Sequence, residues 1–336
     1  MAGTVLLDLF WIFITTAAIW GGSGWLEDAS AKLAVHYNLP PVVQGGLIAA
    51  AGSSFPELAS VVVAAAQGSF GLGAGAIVGS AIFNILVIPA LAVLVSGETL
   101  NANRTLVHKD TLFYLLAVLV LFLTFAFGLI YNPTKGSLNG EITRPLVLFP
   151  LAMYGLYLFL QWQDAADFAG RDESNSISPL KQWGLLLAGL LIILAAVERL
   201  VHSVISIGDV AGTSEFLWGI TVVAAATSVP DTLVSVQAAE NDRAVASIAN
   251  VVGSNTFDLL VVIPLGVLIT GTAAVNFTVT APMMGCLMAA TALLFVALRT
   301  NLALSPREAK LLLVAYLAFV GWAFAEALSF INILPS

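Results

Sequence analysis

Charge is scarce in this sequence. Of 336 residues only 10% are Asp, Glu, Lys or Arg, against roughly 25% in an ordinary globular protein. A soluble enzyme, a nucleic-acid binder and a disordered chain all need more charge than this and are excluded. Cysteine is nearly missing: Cys286 alone rules out a disulfide framework and a thiolate metal cluster, and it reads as a small apolar packer. Histidine is limited to His36, His108 and His202. All three fall at span ends or connections, away from any mid-span acid, so they are read as interfacial rather than as proton relays.

Apolar runs fill the chain instead, with 59% of residues in the AVILMFWYC set. About 20 apolar residues cross a bilayer as a helix. Runs separated by polar or Pro/Gly punctuation predict ten spans, at 4–26, 42–66, 71–96, 111–131, 145–162, 183–205, 214–239, 244–270, 276–298 and 308–332. The first lacks the basic flank and cleavage site of a signal peptide and is read as a true span. The polar stretch 163–181 links two units of five spans, 1–162 and 182–336. Lys32, Arg104, Lys109, Arg171, Lys181, Arg243, Arg299, Arg307 and Lys310 fall on the face opposite the N-terminus, and only Lys135, Arg144 and Arg199 on the other. The positive-inside rule then places both termini outside. Arg199 is expected to pair locally with Glu198 near the outer surface, and Glu326 to be interfacial.

Residues 52–87 align without a gap on 226–261, at a constant offset (231 − 57 = 174). The alignment pairs Ser54 with Ser228, Pro56 with Pro230, Glu57 with Asp231, Ser80 with Ser254 and Asn84 with Asp258. Five is an odd number, so the second copy enters the membrane from the opposite side. The expected fold class is an all-α membrane protein with ten transmembrane helices in two inverted five-helix repeats, spans 2 and 7 being broken. The breaks follow from Pro56 and Pro230, which lack an N–H and clash with the carbonyls of Gly52 and Ala226. Backbone oxygens are expected to be free near Ser53-Ser54 and Thr227-Ser228.

Glu57 is the only ionisable residue in 44–66, Asp231 in 216–236 and Asp258 in 244–268. A mid-span acid costs about 2.5–3.5 kcal/mol even on a lenient scale, so each must meet a cation, a donor or water. Ser53 and Ser54 precede Glu57 by four and three residues, as Thr227 and Ser228 precede Asp231; Ser80 and Asn84 are four apart, as are Ser254 and Asp258. On a helix such spacings share a face. This all-oxygen set suits a hard cation such as Ca²⁺, or several monovalent ones. The small residues of 71–81 permit the close helix approach that such a cage needs. A cation channel would come from a ring of identical subunits rather than from an inverted repeat. An aspartyl protease built on Glu57 and Asp231 has neither a substrate cleft nor a water-activating partner here.

At these residues the sequence resembles the Ca²⁺/cation antiporter superfamily, which includes the Na⁺/Ca²⁺ exchangers. The family's two repeats carry G-T-S-x-P-E/D and then G-S-N-x-x-N/D. Here they read GSSFPE (52–57) with GSAIFN (79–84), and ATSVPD (226–231) with GSNTFD (253–258), within the segments 42–96 and 214–270. The resemblance implies a secondary antiporter rather than an enzyme, without a cofactor. It would exchange Na⁺ for Ca²⁺ by alternating access, as a monomer in the lipid bilayer of a prokaryotic plasma membrane, with spans 1 and 6 sliding across the other eight. H⁺/Ca²⁺ exchange and K⁺-dependent Na⁺/Ca²⁺ exchange stay open. Glu57 and Asp231 would be the central acids, completed by Asn84 and Asp258. Ser54, Ser80, Ser228 and Ser254 would serve flanking Na⁺ sites, and the carbonyls of Ala50, Ser53, Ala224 and Thr227 would be the remaining donors. Ala81 stands where the family has Asn, so a structural hydrogen bond is expected to be missing there. Asp231 is one methylene shorter than the Glu of many prokaryotic relatives.

Overall fold

The structure, a computed structural model, describes residues 2–37, 50–135, 138–165, 178–213, 215–240 and 244–327. The start of the second expected span, most of the 163–181 connection, Arg171, Arg243 and the end of the tenth span lie outside the described residues. Helix dominates, because a chain in lipid must satisfy its own N–H and C=O groups. Among the described residues eight helices are long and apolar enough to cross a membrane, or nine if the bent pair Gly219–Thr227 and Val229–Glu240 counts as one span.

In chain order the first half holds α1 (Ala2–His36), α2 (Ala50–Ser53), α3 (Phe55–Ala66), α4 (Phe70–Leu86), α5 (Ile88–Ser96), α6 (Thr111–Tyr131) and α7 (Arg144–Ala165). The second half holds α8 (Pro179–Ala211), α9 (Glu215–Trp218), α10 (Ala224–Thr227), α11 (Val229–Glu240), α12 (Ala244–Phe257), α13 (Ile263–Thr270), α14 (Phe277–Arg299) and α15 (Pro306–Ala327). Three π-helical turns, Leu106–Asp110, Gly219–Val223 and Asp258–Val262, interrupt the helices.

The all-helical expectation needs one correction. Strands β1 (Leu100–Asn101) and β4 (Ala303–Leu304) pair antiparallel, as do β2 (Asn139–Thr143) and β3 (Thr272–Asn276), with Glu141 opposite Ala274. Segments this short carry no alternation that a sequence reading could detect. Each ribbon joins a connection of the first half to one of the second, so Leu100–Asn101 lies beside Ala303–Leu304, and Asn139–Thr143 beside Thr272–Asn276.

The helices α1 and α8 are far longer than the expected 4–26 and 183–205. At 35 and 33 residues each is about 50 Å long, more than a hydrocarbon core of about 30 Å accommodates upright. They lie along one another, and residues such as Ile19, Leu26, Ile193, Val197 and Val204 form a hydrophobic cluster separate from the larger one around α4, α6, α12 and α14. Arg199 of α8 does not pair with its neighbour Glu198, because adjacent side chains on a helix diverge. It reaches Asp8 of α1 at 3.5 Å and lies 5.0 Å above the Trp11 ring, while Ser206 Oγ donates to Asp8 Oδ2 at 2.8 Å.

Removing Arg199 would leave Asp8, which is 4% exposed, without its cation. Breaking a buried pair costs about 3–5 kcal/mol, and the partial exposure of Arg199 brings this to about 2–4 kcal/mol. Arg199→Leu is therefore expected to lower the melting temperature in detergent, and the double variant Asp8→Leu/Arg199→Leu to regain part of the loss.

Candidate cation-binding centre

Both helix breaks are local consequences of proline. Ser54 (φ −88°, ψ 9°) and Ser228 (φ −80°, ψ −3°) separate α2 from α3 and α10 from α11. The amides of Leu58 and Thr232 donate to the carbonyls of Ser54 and Ser228 at 3.0 Å. Those two oxygens, expected to be free, are thus engaged; the carbonyls that lose a partner are Gly52 and Ala226, four residues before the prolines. Across Ser228 the axis turns by 50°. Each restart puts an acid, Glu57 or Asp231, in the first turn of a new helix, where open amides and the helix dipole favour a carboxylate.

The other donors come from α4 and α12. Helix α4 approaches the turn Gly219–Val223 backbone to backbone: a Cβ on Gly79 would lie 2.2 Å from the Ile220 oxygen, and one on Gly219 would lie 2.3 Å from the Leu72 oxygen. This contact carries Ser80 and Asn84 to the acids. Ser80 Oγ donates to Glu57 Oε1 at 3.3 Å and lies 2.8 Å from Ser228 Oγ. Asn84 Nδ2 donates to Asp231 Oδ2 at 3.1 Å and to Asn255 Oδ1 at 2.9 Å, and Ser254 Oγ donates to Asp231 Oδ2 at 3.0 Å. Thr227 faces Glu57, Ser53 faces Asp231, and Ser54 faces Asp258. Ala224 is differently placed, since its carbonyl already accepts from Ser228 N at 3.1 Å and from Thr227 Oγ1 at 3.3 Å. Of Ala50 only the backbone, at the start of α2, is described.

Glu57, Asp231, Asp258 and Asn84 are 0–1% exposed. Ser54 Oγ, Glu57 Oε2, Asn84 Oδ1, Asp231 Oδ1 and both oxygens of Asp258 have no hydrogen-bond partner. The three carboxyl groups are within Coulombic reach of one another. Among the described residues no three His, Cys, Asp or Glu side chains are close enough to clasp one ion by themselves, so an ion held here would need amide and hydroxyl oxygens as well. Uncompensated, each buried carboxylate costs several kcal/mol. Cations or protons must neutralise them.

The sequence pattern of the sodium/calcium exchanger protein family matches residues 7–163 and 181–325. The chain belongs to this family. The family is one of membrane exchangers, not of enzymes. Among similar proteins, the uncharacterized membrane protein MJ0091 of Methanocaldococcus jannaschii is 27% identical over 258 residues, covering 76% of this chain and 80% of its own. The solved structure of the sodium-calcium exchanger NCX_Mj, soaked with Na⁺ and Sr²⁺, has a TM-score of 0.65 at 23% identity, over 94% of this chain and 98% of that one. Native YfkE reaches 0.72 at 17% identity, over 96% and 98%. These two likenesses establish the exchanger fold.

Three participants escaped the sequence reading. Asn255 donates to the Ala81 carbonyl at 3.1 Å and to Tyr114 Oη at 3.2 Å while accepting from Asn84. It holds Asn84 in place, and it ties α12 to the α4 backbone at Ala81, where a bond was expected to be missing. Tyr114 reads as an ordinary apolar-span aromatic until α6 is placed beside α12. Asn250, which faces Asp231 and donates to Ser235 Oγ at 3.2 Å, is one turn from Ser254 and could have been found by that spacing.

An ion bound only by the folded exchanger stabilises it by about 2.7 kcal/mol at a hundred times its Kd. Ca²⁺ is expected to raise the melting temperature of the detergent-solubilised protein, and Glu57→Gln or Asp231→Asn to abolish that rise.

Proposed function

We propose that the protein is a secondary antiporter that exchanges Na⁺ for Ca²⁺ at one central site, exposed alternately to each side of the membrane. One observation carries the reading: buried oxygens without partners converge from both halves of the chain, beside three acids and, among the described residues, no cation of the protein's own. Glu57 and Asp231 take the central roles, with Asn84 and Asp258 completing the centre. The hydroxyls of Ser54, Ser80, Ser228 and Ser254 serve flanking Na⁺ positions, and the carbonyls of Ala50, Ser53 and Thr227 supplement them. Ala224 joins only when its carbonyl gives up one of its present bonds.

Antiport follows from electrostatics. An empty centre holds uncompensated charge in a low dielectric, so the switch in access favours the loaded states. One Ca²⁺ or several Na⁺ neutralise the same carboxylates and therefore compete. The reading takes the fold as ten spans in two inverted repeats, with both termini outside. The closely packed α1 and α8 move as one body across the rest. The protein works as a monomer in a prokaryotic plasma membrane.

In vesicles loaded with Na⁺, an outward Na⁺ gradient is expected to drive ⁴⁵Ca²⁺ uptake, and Glu57→Gln to abolish it. Uptake that ignores the Na⁺ gradient and follows a pH gradient would assign H⁺ as the counter-ion; a requirement for K⁺ on the Na⁺ side would assign K⁺ co-transport. Single-channel currents would overturn antiport altogether.

A further inference from the structure

Glu27, on α1, has no role in the site described above. It is half-buried, and among the described residues neither a cation nor a hydrogen-bond donor meets its carboxylate. Its neighbour Asp28 differs, being exposed and paired with Lys32. Glu27 borders a cavity of about 380 Å³ between α1 and α11, which is also lined by Asp28, Ala31, Pro230, Val234 and Gln237. Its walls run along α1 from Trp20 to Ala31 and along α11 from Gln237 to Pro230, the residue before Asp231. The carboxylate of Glu27 is within Coulombic reach of Asp231, whose Oδ1 is buried and unpartnered. On its other side α1 touches the first helix break: a Cβ on Gly52 would lie 3.3 Å from Ser30 Oγ and 3.9 Å from Glu27 Cα.

We propose that Glu27 is a specificity-determining residue for cation entry from the face where α1 ends: a carboxylate that concentrates hard cations in the α1–α11 cavity and hands them to Asp231. This rests on the antiport reading above, under which that face is the cytoplasmic one. A cleft lined by one sign of charge between low-dielectric walls raises the local concentration of counter-ions. Lys32 neutralises Asp28, so the free charge in the cavity is that of Glu27. Glu27 serves the entrance at which α1 ends, so the two faces of the exchanger bind Ca²⁺ unequally.

The test uses full-length protein in vesicles of known sidedness, with the half-saturating Ca²⁺ concentration measured separately at each face. Glu27→Gln is expected to raise it about threefold or more at the inner face and leave the outer face unmoved, while Glu27→Asp keeps most of the wild-type value. Equal shifts at both faces, or no inner shift, would overturn the proposal. A second readout does not depend on transport. In a Cys286→Ser background, Ala31→Cys is labelled from the inner face by a cationic and by an anionic methanethiosulfonate reagent. The cationic-to-anionic rate ratio is expected to fall when Glu27→Gln is added. An unchanged ratio, or no labelling from that face, would sink the role of Glu27. A wild-type protein without gradient-driven Ca²⁺ flux would sink the antiport reading instead, and the labelling ratio would still decide the case of Glu27.

Discussion

Carboxyl groups buried in a lipid-embedded chain have to be neutralised, and this protein buries Glu57, Asp231 and Asp258 together with no cation beside them among the described residues. Much of the surrounding architecture answers that constraint. Each proline break opens a new helix start inside the membrane, so that the acid next to it sees unpaired amides and the positive end of a dipole. Glycines 79 and 219 remove the side chains that would hold α4 away from the opposing turn. Serines and asparagines then fill the shell with neutral oxygens and donors, which soften the field without cancelling it. What remains is a buried negative centre that a cation or a proton would have to neutralise.

The two halves have diverged around this shared plan. Asn84 occupies the place that Asp258 takes in the second copy, so the centre holds three acids rather than two or four. The Ala81–Asn255 pair is a second asymmetry: the second copy alone carries the amide, and it crosses to the first copy to bind the Ala81 carbonyl and orient Asn84. An apparent loss in one repeat is thus compensated from the other. Asp8 and Arg199 form a third unequal element, locking α1 to α8 through an ion pair capped by Trp11. The separate hydrophobic cluster of these two long helices gives them the cohesion of a single body.

Reading the chain residue by residue recovered the broken spans and the acids because both are local signals. Pro56 and Pro230 act on carbonyls four residues away, and an isolated acid in an apolar run is conspicuous. Other features were invisible for equally physical reasons. The full lengths of α1 and α8 were underestimated because polar residues such as Asp28, Lys32 and Asp209 extend a helix past the hydrocarbon layer without adding hydrophobicity. The β-ribbons are two to five residues long and exist only because distant connections meet. Arg199 has an acid beside it in sequence, yet helical geometry turns the two apart and delivers an acid from another helix.

By itself the sequence determined that the chain lies in a membrane, that a segment recurs at a fixed offset, and that Glu57, Asp231 and Asp258 are lone acids beside helix breaks. These properties depend on composition and on spacings of a few residues, which the chain carries wherever it folds. Only the tertiary structure decided which oxygens face one another across the halves, that Asn255 positions Asn84, that the Ala224 carbonyl is already engaged, and that Glu27 borders a cavity ending beside Asp231. Those depend on contacts between residues up to about two hundred positions apart, and such contacts are set by how whole helices pack, which no local pattern encodes.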